Sequence, residues 1–236
     1  MSWDKRRRFY RQAEASPDGD AFVVRLDGRG LKTPAGRSLH LPTAALAAAV
    51  AREWAAQAGI LRPHTMPITQ LAATALDRVP VERDAAIGHL MAMVETDLLC
   101  HRAGHPAELA ARQAARWDPL LDWAAEALGA RLRVTEGILA VAQPPESLAA
   151  LRRAVEGLTD LELAAVASAA AATGSLVVAL ALAAGRLDAA SAFETALVDE
   201  RFQAELWGDD FEALARRVRL RTDVEAAGAV LALAGS

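Results

Sequence analysis

From Leu163 to Gly185 the chain reads LAAVASAAAATGSLVVALALAAG without one charged residue. Few architectures can house such a stretch. It is long enough to cross a bilayer, but its first half is nearly all alanine, which gains little from lipid. Ser168, Thr173, Gly174 and Ser175 interrupt it. Small residues let helix backbones approach closely in water as well as in lipid. The stretch therefore predicts one buried helix, or two meeting near Gly174, in a helical core and no membrane insertion. The composition agrees. Of 236 residues, 53% are hydrophobic but only 5% aromatic, and alanine with Leu, Glu and Arg is the make-up of closely packed helices. Collagen-like, disulfide-scaffold and disordered classes are excluded. A lone cysteine, Cys100, cannot form an internal disulfide, which fits a reducing compartment such as the bacterial cytoplasm.

The first sixty residues follow another pattern. In Ala21–Leu26, Phe22, Val24 and Leu26 alternate on one strand face. Asp27-Gly28-Arg29-Gly30 has turn chemistry, Leu31-Lys32-Thr33 returns, and Pro34-Ala35-Gly36 turns again before Ser38–Leu41. Arg8–Arg11 is expected as a further strand. So small a sheet needs a helix on its apolar face, and Thr43 as N-cap with Gly59 as stop predicts one over 44–58. The chain is thus expected to be α+β, with a small antiparallel β-rich N-terminal domain (1–62) and a larger all-helical C-terminal domain (63–236). Helices are expected near 67–79, 81–99, 106–116, 119–128, 145–157, 160–185, 189–206 and 209–233. Residues 131–141 read as a short extended excursion. Asp118 with Pro119 reads as a helix start.

Charge is uneven. Residues 1–62 hold 11 basic and 6 acidic residues, against an overall net charge of −4. The opening MSWDKRRRFYRQ lacks an apolar stretch after its basic residues, so no secretory signal is expected. Lys5–Arg11 mixes cations with Phe9 and Tyr10, as single-strand binders do. On an acidic protein this reads instead as a solvated or partner-facing strand end, and nucleic acid is not expected as a partner.

Catalytic signatures are missing. No phosphate-cradling loop with its lysine occurs, and no Ser stands in a nucleophile elbow. Cys100, His101 and His105 could begin a zinc site, but Gly104 and Pro106 break the helix that would align them. No cofactor and no enzymatic activity are expected. The alternative is a small metal-dependent hydrolase using Cys100/His101/His105 or the carboxylates of 199–212.

Those carboxylates form the most suggestive run. Asp199, Glu200, Glu205, Asp209, Asp210 and Glu212 are interleaved with Phe202, Trp207 and Phe211. Acids beside large aromatics have the make-up of a binding edge. Along-helix pairs Arg201/Glu205 and Glu212/Arg216 are expected to balance part of the charge.

Several motifs in order resemble one family. They are Arg8-Phe9-Tyr10; the Leu26–Pro34 hairpin; Glu53-Trp54 with Gln57; Met66-Pro67-Ile68-Thr69 with Asp77; and Thr96-Asp97-Leu98-Leu99. Gln113 with Trp117-Asp118-Pro119, Thr173-Gly174-Ser175, and Asp199-Glu200 with Gln203 and Trp207-Gly208 complete the series. Together they resemble the assembly chaperones of the F1 sector of ATP synthase that bind the alpha subunit. The family often has an aromatic residue where His101 stands, which further weakens a metal site. The resemblance implies an N-terminal β-rich and a C-terminal helical part. It also implies a chaperone that holds the unassembled alpha subunit, prevents its aggregation, and yields it to the beta subunit. In eukaryotic relatives the setting would be the mitochondrial matrix. A client-binding surface of Asp199, Glu200, Gln203, Glu205, Trp207, Asp209 and Glu212 is expected. Self-association is left open.

Overall fold

The structure is a computed structural model that describes residue 3, residues 6–137 and residues 141–235. It has the expected α+β architecture, a small antiparallel sheet followed by helices. Two compact units divide the chain. The first comprises Met1–Arg83, Thr159–Ala165 and Ala229–Ser236, and the second Asp84–Leu158 and Val166–Gly228. The boundary expected at 62/63 falls inside the first unit.

In the first unit, β1 (Ala13–Asp18) and β2 (Ala21–Leu26) form an antiparallel hairpin, pairing Ala13 with Leu26 and Asp18 with Ala21. The other edge of β2 takes β3 (Arg29–Gly30) and β4 (His40–Leu41). The residues of β1 are polar or small, so alternation could not reveal it; pairing with β2 makes it a strand. Arg8–Arg11, expected as a strand, is not one. The backbone pairs earlier, where Arg8 N–H donates to the Gly59 carbonyl and Leu61 N–H to that of Arg6.

Helix α1 (Ala44–Ala55) covers the sheet. Thr43 caps it, its hydroxyl oxygen accepting from Leu46 N–H at 3.1 Å. Leu46, Val50 and Trp54 lie four residues apart and fully buried, the stripe of a helix laid on a core. Helix α2 (Pro67–Asp77) packs on α1. Its first turn is held by Glu53 of α1, whose carboxylate accepts from Ile68 N–H and Thr69 N–H, both at 2.8 Å, and from the Thr69 hydroxyl at 2.6 Å. Asp77, at the other end, accepts from the Thr33 hydroxyl (2.7 Å) and Ala35 N–H (2.9 Å), fixing the second turn of the sheet. Burial pushes the Glu53 carboxyl above its ordinary range against the pull of its three donors.

Helix α3 (Val79–Met93) leads into the second unit. It stops short of the expected residue 99, giving way to two 3₁₀ turns at Val94–Thr96 and Leu98–Cys100. A two-residue parallel ladder joins β5 (His101–Arg102) to β6 (Thr135–Glu136), so extended backbone does occur at 135–136. Ile138 in that excursion lies outside the described residues. Helix α4 (Ala107–Trp123) corrects the expected break at Pro119, because it runs straight through that proline. A proline inside a helix costs about 3 kcal/mol, through the lost backbone bond and the clash of its ring. Against this, Leu109, Gln113, Trp117, Leu120 and Ala124 form an unbroken buried face, and Trp117 Nε1–H donates to the Thr195 carbonyl at 3.0 Å. Asp118, expected as a cap, instead pairs with Arg102 at 2.7 Å.

Helix α5 (Pro145–Glu156) follows, and the uncharged stretch forms two helices, α6 (Asp160–Thr173) and α7 (Leu176–Ala183). They meet at Gly174, whose φ of +71° suits glycine. Leu176 to Leu182 are buried without exception, as expected of a helix apolar all round. Among the described residues, no helix is long and apolar enough to cross a membrane. The last three helices are α8 (Ala189–Ala196), α9 (Val198–Trp207) and α10 (Phe211–Ala234). The helix expected over 189–206 is therefore two, broken at Leu197. At Gly228 of α10 an added Cβ would stand 3.0 Å from Ala189 Cβ, so the small residue permits close packing on α8.

Candidate functional site

The acidic–aromatic run occupies α9, the turn after it and the start of α10. Gly208, at φ +81°, ends α9, and the Asp210 carboxylate accepts from Ala213 N–H at 2.7 Å to open α10. The expected residues divide into two groups here. Asp199 is half-buried and accepts from Gln113 Nε2–H at 2.6 Å, while Gln113 Oε1 accepts from Ala103 N–H at 2.8 Å. Glu200 is clamped by Arg216 and by Arg217 at 2.8 Å. Asp209 pairs with Arg217 at 2.6 Å, and Glu205 with Arg112 at 2.8 Å. Hydrogen bonds donated to carboxylate partners raise both arginines further: to Glu205 and Glu108 for Arg112, and to Asp209 and Glu200 for Arg217. Gln203, Trp207 and Glu212 form the second group. All three are exposed, and Gln203 and Glu212 make no hydrogen bond or ion pair among the described residues.

The expected pairs Arg201/Glu205 and Glu212/Arg216 do not form. Arg201 reaches Glu194 at 2.5 Å, and Arg216 reaches Glu200. Partners on neighbouring helices take precedence over those along one helix, so the charges brace the helices against each other.

Large apolar side chains face outward among these charges. Trp207 is 78% exposed and Phe211 84%, with Leu206, Leu214 and Val218 also exposed. Beside them a cleft of about 530 Å³ is floored by Phe193, Leu197, Ala204, Leu214 and Val218. Arg221 lies over the Phe193 ring at 4.4 Å. The sequence reading omitted Leu206, Leu214 and Val218. Their signal was available: Phe211, Leu214 and Val218 at i, i+3 and i+7 mark one helix face.

The alternative metal site does not assemble. Cys100 is buried, and its thiol is pushed up to about 12 by burial and by the nearby Asp97 charge. His101 Nε2 lies 3.3 Å from the Glu95 carbonyl oxygen, and His105 faces solvent. No three His, Cys, Asp or Glu side chains converge as metal ligands among the described residues. In the basic N-terminal cluster, Lys5 lies outside the described residues. Arg8 points inward, donating to the carbonyls of Tyr10, Ala55, Gln57 and Arg11 at 2.5–3.1 Å.

Asp97 is the most deeply engaged of the motif residues. Fully buried, its Oδ1 accepts from Leu99 N–H at 3.0 Å, and its Oδ2 from Leu176 N–H at 2.8 Å and Val177 N–H at 3.3 Å. It ties the 96–99 motif to the 173–175 motif at the start of α7.

A family model described as ATP12 chaperone protein matches residues 7–125, which places the chain among chaperones. The crystal structure of Atp12 from Paracoccus denitrificans superposes with a TM-score of 0.89 at 39% identity, covering 99% of this chain and all of that one. The mitochondrial protein atp12 of Schizosaccharomyces pombe is 26% identical over 214 residues, 86% of this chain and 74% of its own length. The chain belongs to the ATP12 chaperone family, the ATP synthase assembly chaperones that its motifs resemble.

Proposed function

We propose that this protein holds the unassembled alpha subunit of F1-ATPase, shields it from aggregation, and releases it when the beta subunit arrives. It acts by binding and not by catalysis, in the compartment where F1 is assembled, the cytoplasm in bacteria. Family membership supports the role. The observation that carries the site is the apolar ridge around Trp207 and Phe211, left in solvent beside Glu200, Glu205 and Asp209, whose charges are paired within the chain. Exposed apolar patches of this kind mark protein-interaction surfaces, and aromatic anchors dominate interface energetics. Asp199 and Glu200 then belong to the support of that surface. Gln203, Glu205, Trp207, Asp209 and Glu212 supply its contacts and rim. Release follows from mass action, since a partner that binds the same client more tightly displaces the holder.

The test is co-expression with alpha and beta subunits, followed by affinity measurement on purified alpha subunit. Trp207→Ala is expected to leave folding within about 0.5 kcal/mol, as for an exposed substitution, and to weaken alpha-subunit binding at least about tenfold. Glu205→Lys, which sets a second cation against Arg112, is expected to weaken it less. Unchanged affinity in both folded variants would move the client surface elsewhere. Equal affinity for assembled F1 and free alpha subunit would refute the hand-over.

A further inference from the structure

The first unit carries a second cavity, of about 570 Å³, whose lining includes the motif residues Phe9, Leu26, Arg29, Lys32 and Trp54. Trp3, Phe9 and Trp54 contribute aromatic walls, Arg6, Arg29 and Lys32 contribute cations, and its described lining includes no carboxylate. Trp3 stands edge-on to Trp54, ring centroids 5.4 Å apart, and its indole N–H donates to the Lys32 carbonyl at 3.2 Å. Phe9 is 64% exposed. Trp54 Nε1 is buried with no hydrogen-bond partner among the described residues. The side chains of Arg6, Arg29 and Lys32 make no ion pair there. Cations without an ion pair among the described residues, beside the exposed Phe9 ring, suit an anionic occupant that also brings an apolar group.

The second unit presents a segment of that chemistry. Trp207-Gly208-Asp209-Asp210-Phe211-Glu212 has three carboxylates, two aromatics and no cation. Its Trp207 and Phe211 are the most exposed large apolar side chains among the described residues. We propose that this turn of one copy docks into the basic, aromatic cavity of a second copy, Phe211 supplying the apolar group and Asp210 and Glu212 facing the cations. The two surfaces differ, so each contact pairs the turn of one copy with the cavity of another. Its small area makes it weak and reversible, and its charge makes it sensitive to salt. The turn is shared with the proposed client surface, and the test uses the chain alone.

The test is sedimentation of the full chain between roughly 10 and 300 µM, where a small interface associates measurably. The wild type is expected to exceed monomer mass at the upper concentrations and to return toward monomer when salt rises from about 50 to 500 mM. Arg29→Glu with Lys32→Glu removes the cavity's charge, and Phe211→Ala with Glu212→Lys removes the docking turn. Each double variant alone is expected to associate at least about tenfold more weakly. Their equimolar mixture is expected to associate again, because one retains the turn and the other the cavity. If the charge reversals lower the melting temperature, Arg29→Gln with Lys32→Gln replaces them, with the same expected loss. A wild type monomeric throughout, association that survives either variant, or a mixture that stays monomeric would overturn the proposal.

Discussion

Replacing Asp97 tests how two motifs far apart in the chain act as one structural joint. Its carboxylate is fully buried and accepts from three backbone N–H groups, two of them at the first turn of α7. Asp97→Ala leaves those donors with no acceptor. A buried donor without a partner costs about 1–3 kcal/mol, so the joint loses roughly 3–6 kcal/mol once water enters part of the space. Against a typical stability of about 5–15 kcal/mol, this is severe. The melting temperature is expected to fall by about 10 °C or more.

Asp97→Asn separates hydrogen bonding from charge. It keeps one acceptor oxygen and cannot ionise, so about 1–3 kcal/mol of loss is expected. The pH dependence carries the sharper test. Burial outweighs the donors from Leu99, Ser175, Leu176 and Val177 and pushes the Asp97 carboxyl above its ordinary value. Between that ordinary value, near pH 4, and the raised one, the folded protein binds more protons than the unfolded chain. Its stability therefore falls as pH rises through that window and is greatest below it. Asp97→Asn removes this slope, so the gap between wild type and variant widens as pH is lowered through the window. Urea unfolding of both proteins at several pH values measures it. Parallel pH profiles would refute the claim that burial dominates this carboxyl. A thermally unchanged Asp97→Ala would refute the joint itself.

Two further outcomes follow from the same physics. Glu53→Ala strips the first turn of α2 of its acceptor and is expected to cost about 2–3 kcal/mol, seen as a melting temperature lower by roughly 5–10 °C; an unchanged melt would show that α2 starts without it. Cys100, buried with its thiol pushed up to about 12, is expected to resist a thiol-specific reagent at pH 8 until urea unfolds the chain; prompt labelling of the folded protein would refute that burial.

The sequence disclosed most where a residue's chemistry acts locally. Thr43 caps α1, Gly174 divides the uncharged stretch, and the total apolarity of 176–182 becomes complete burial. It disclosed least where partners distant in the chain decide. β1 has no apolar alternation of its own and exists through its pairing with β2. Pro119 looked like a helix start because the local rule is sound. The buried stripe on both sides of it, anchored by Trp117 on the Thr195 carbonyl, overrides that rule.

The same distinction separates the motif residues from the candidate surface. Glu53, Gln57, Asp77, Asp97 and Gln113 each hold backbone donors that helix ends or turns leave unpaired. Such residues identify a fold strongly, because a polar group must be placed within tenths of an ångström to satisfy a buried donor. They say little about where a partner lands. Asp199 and Glu200 looked like surface steering charges only because Gln113, Arg216 and Arg217 could not be placed beside them from sequence. Once those partners are in position, Asp199 and Glu200 are engaged inside the chain, and the exposed apolar residues around Trp207 stand out. Trp207 belongs to both sets, a motif residue that the fold leaves 78% exposed. An aromatic ring of that size held in water contributes little to stability, which supports the client contact proposed for it.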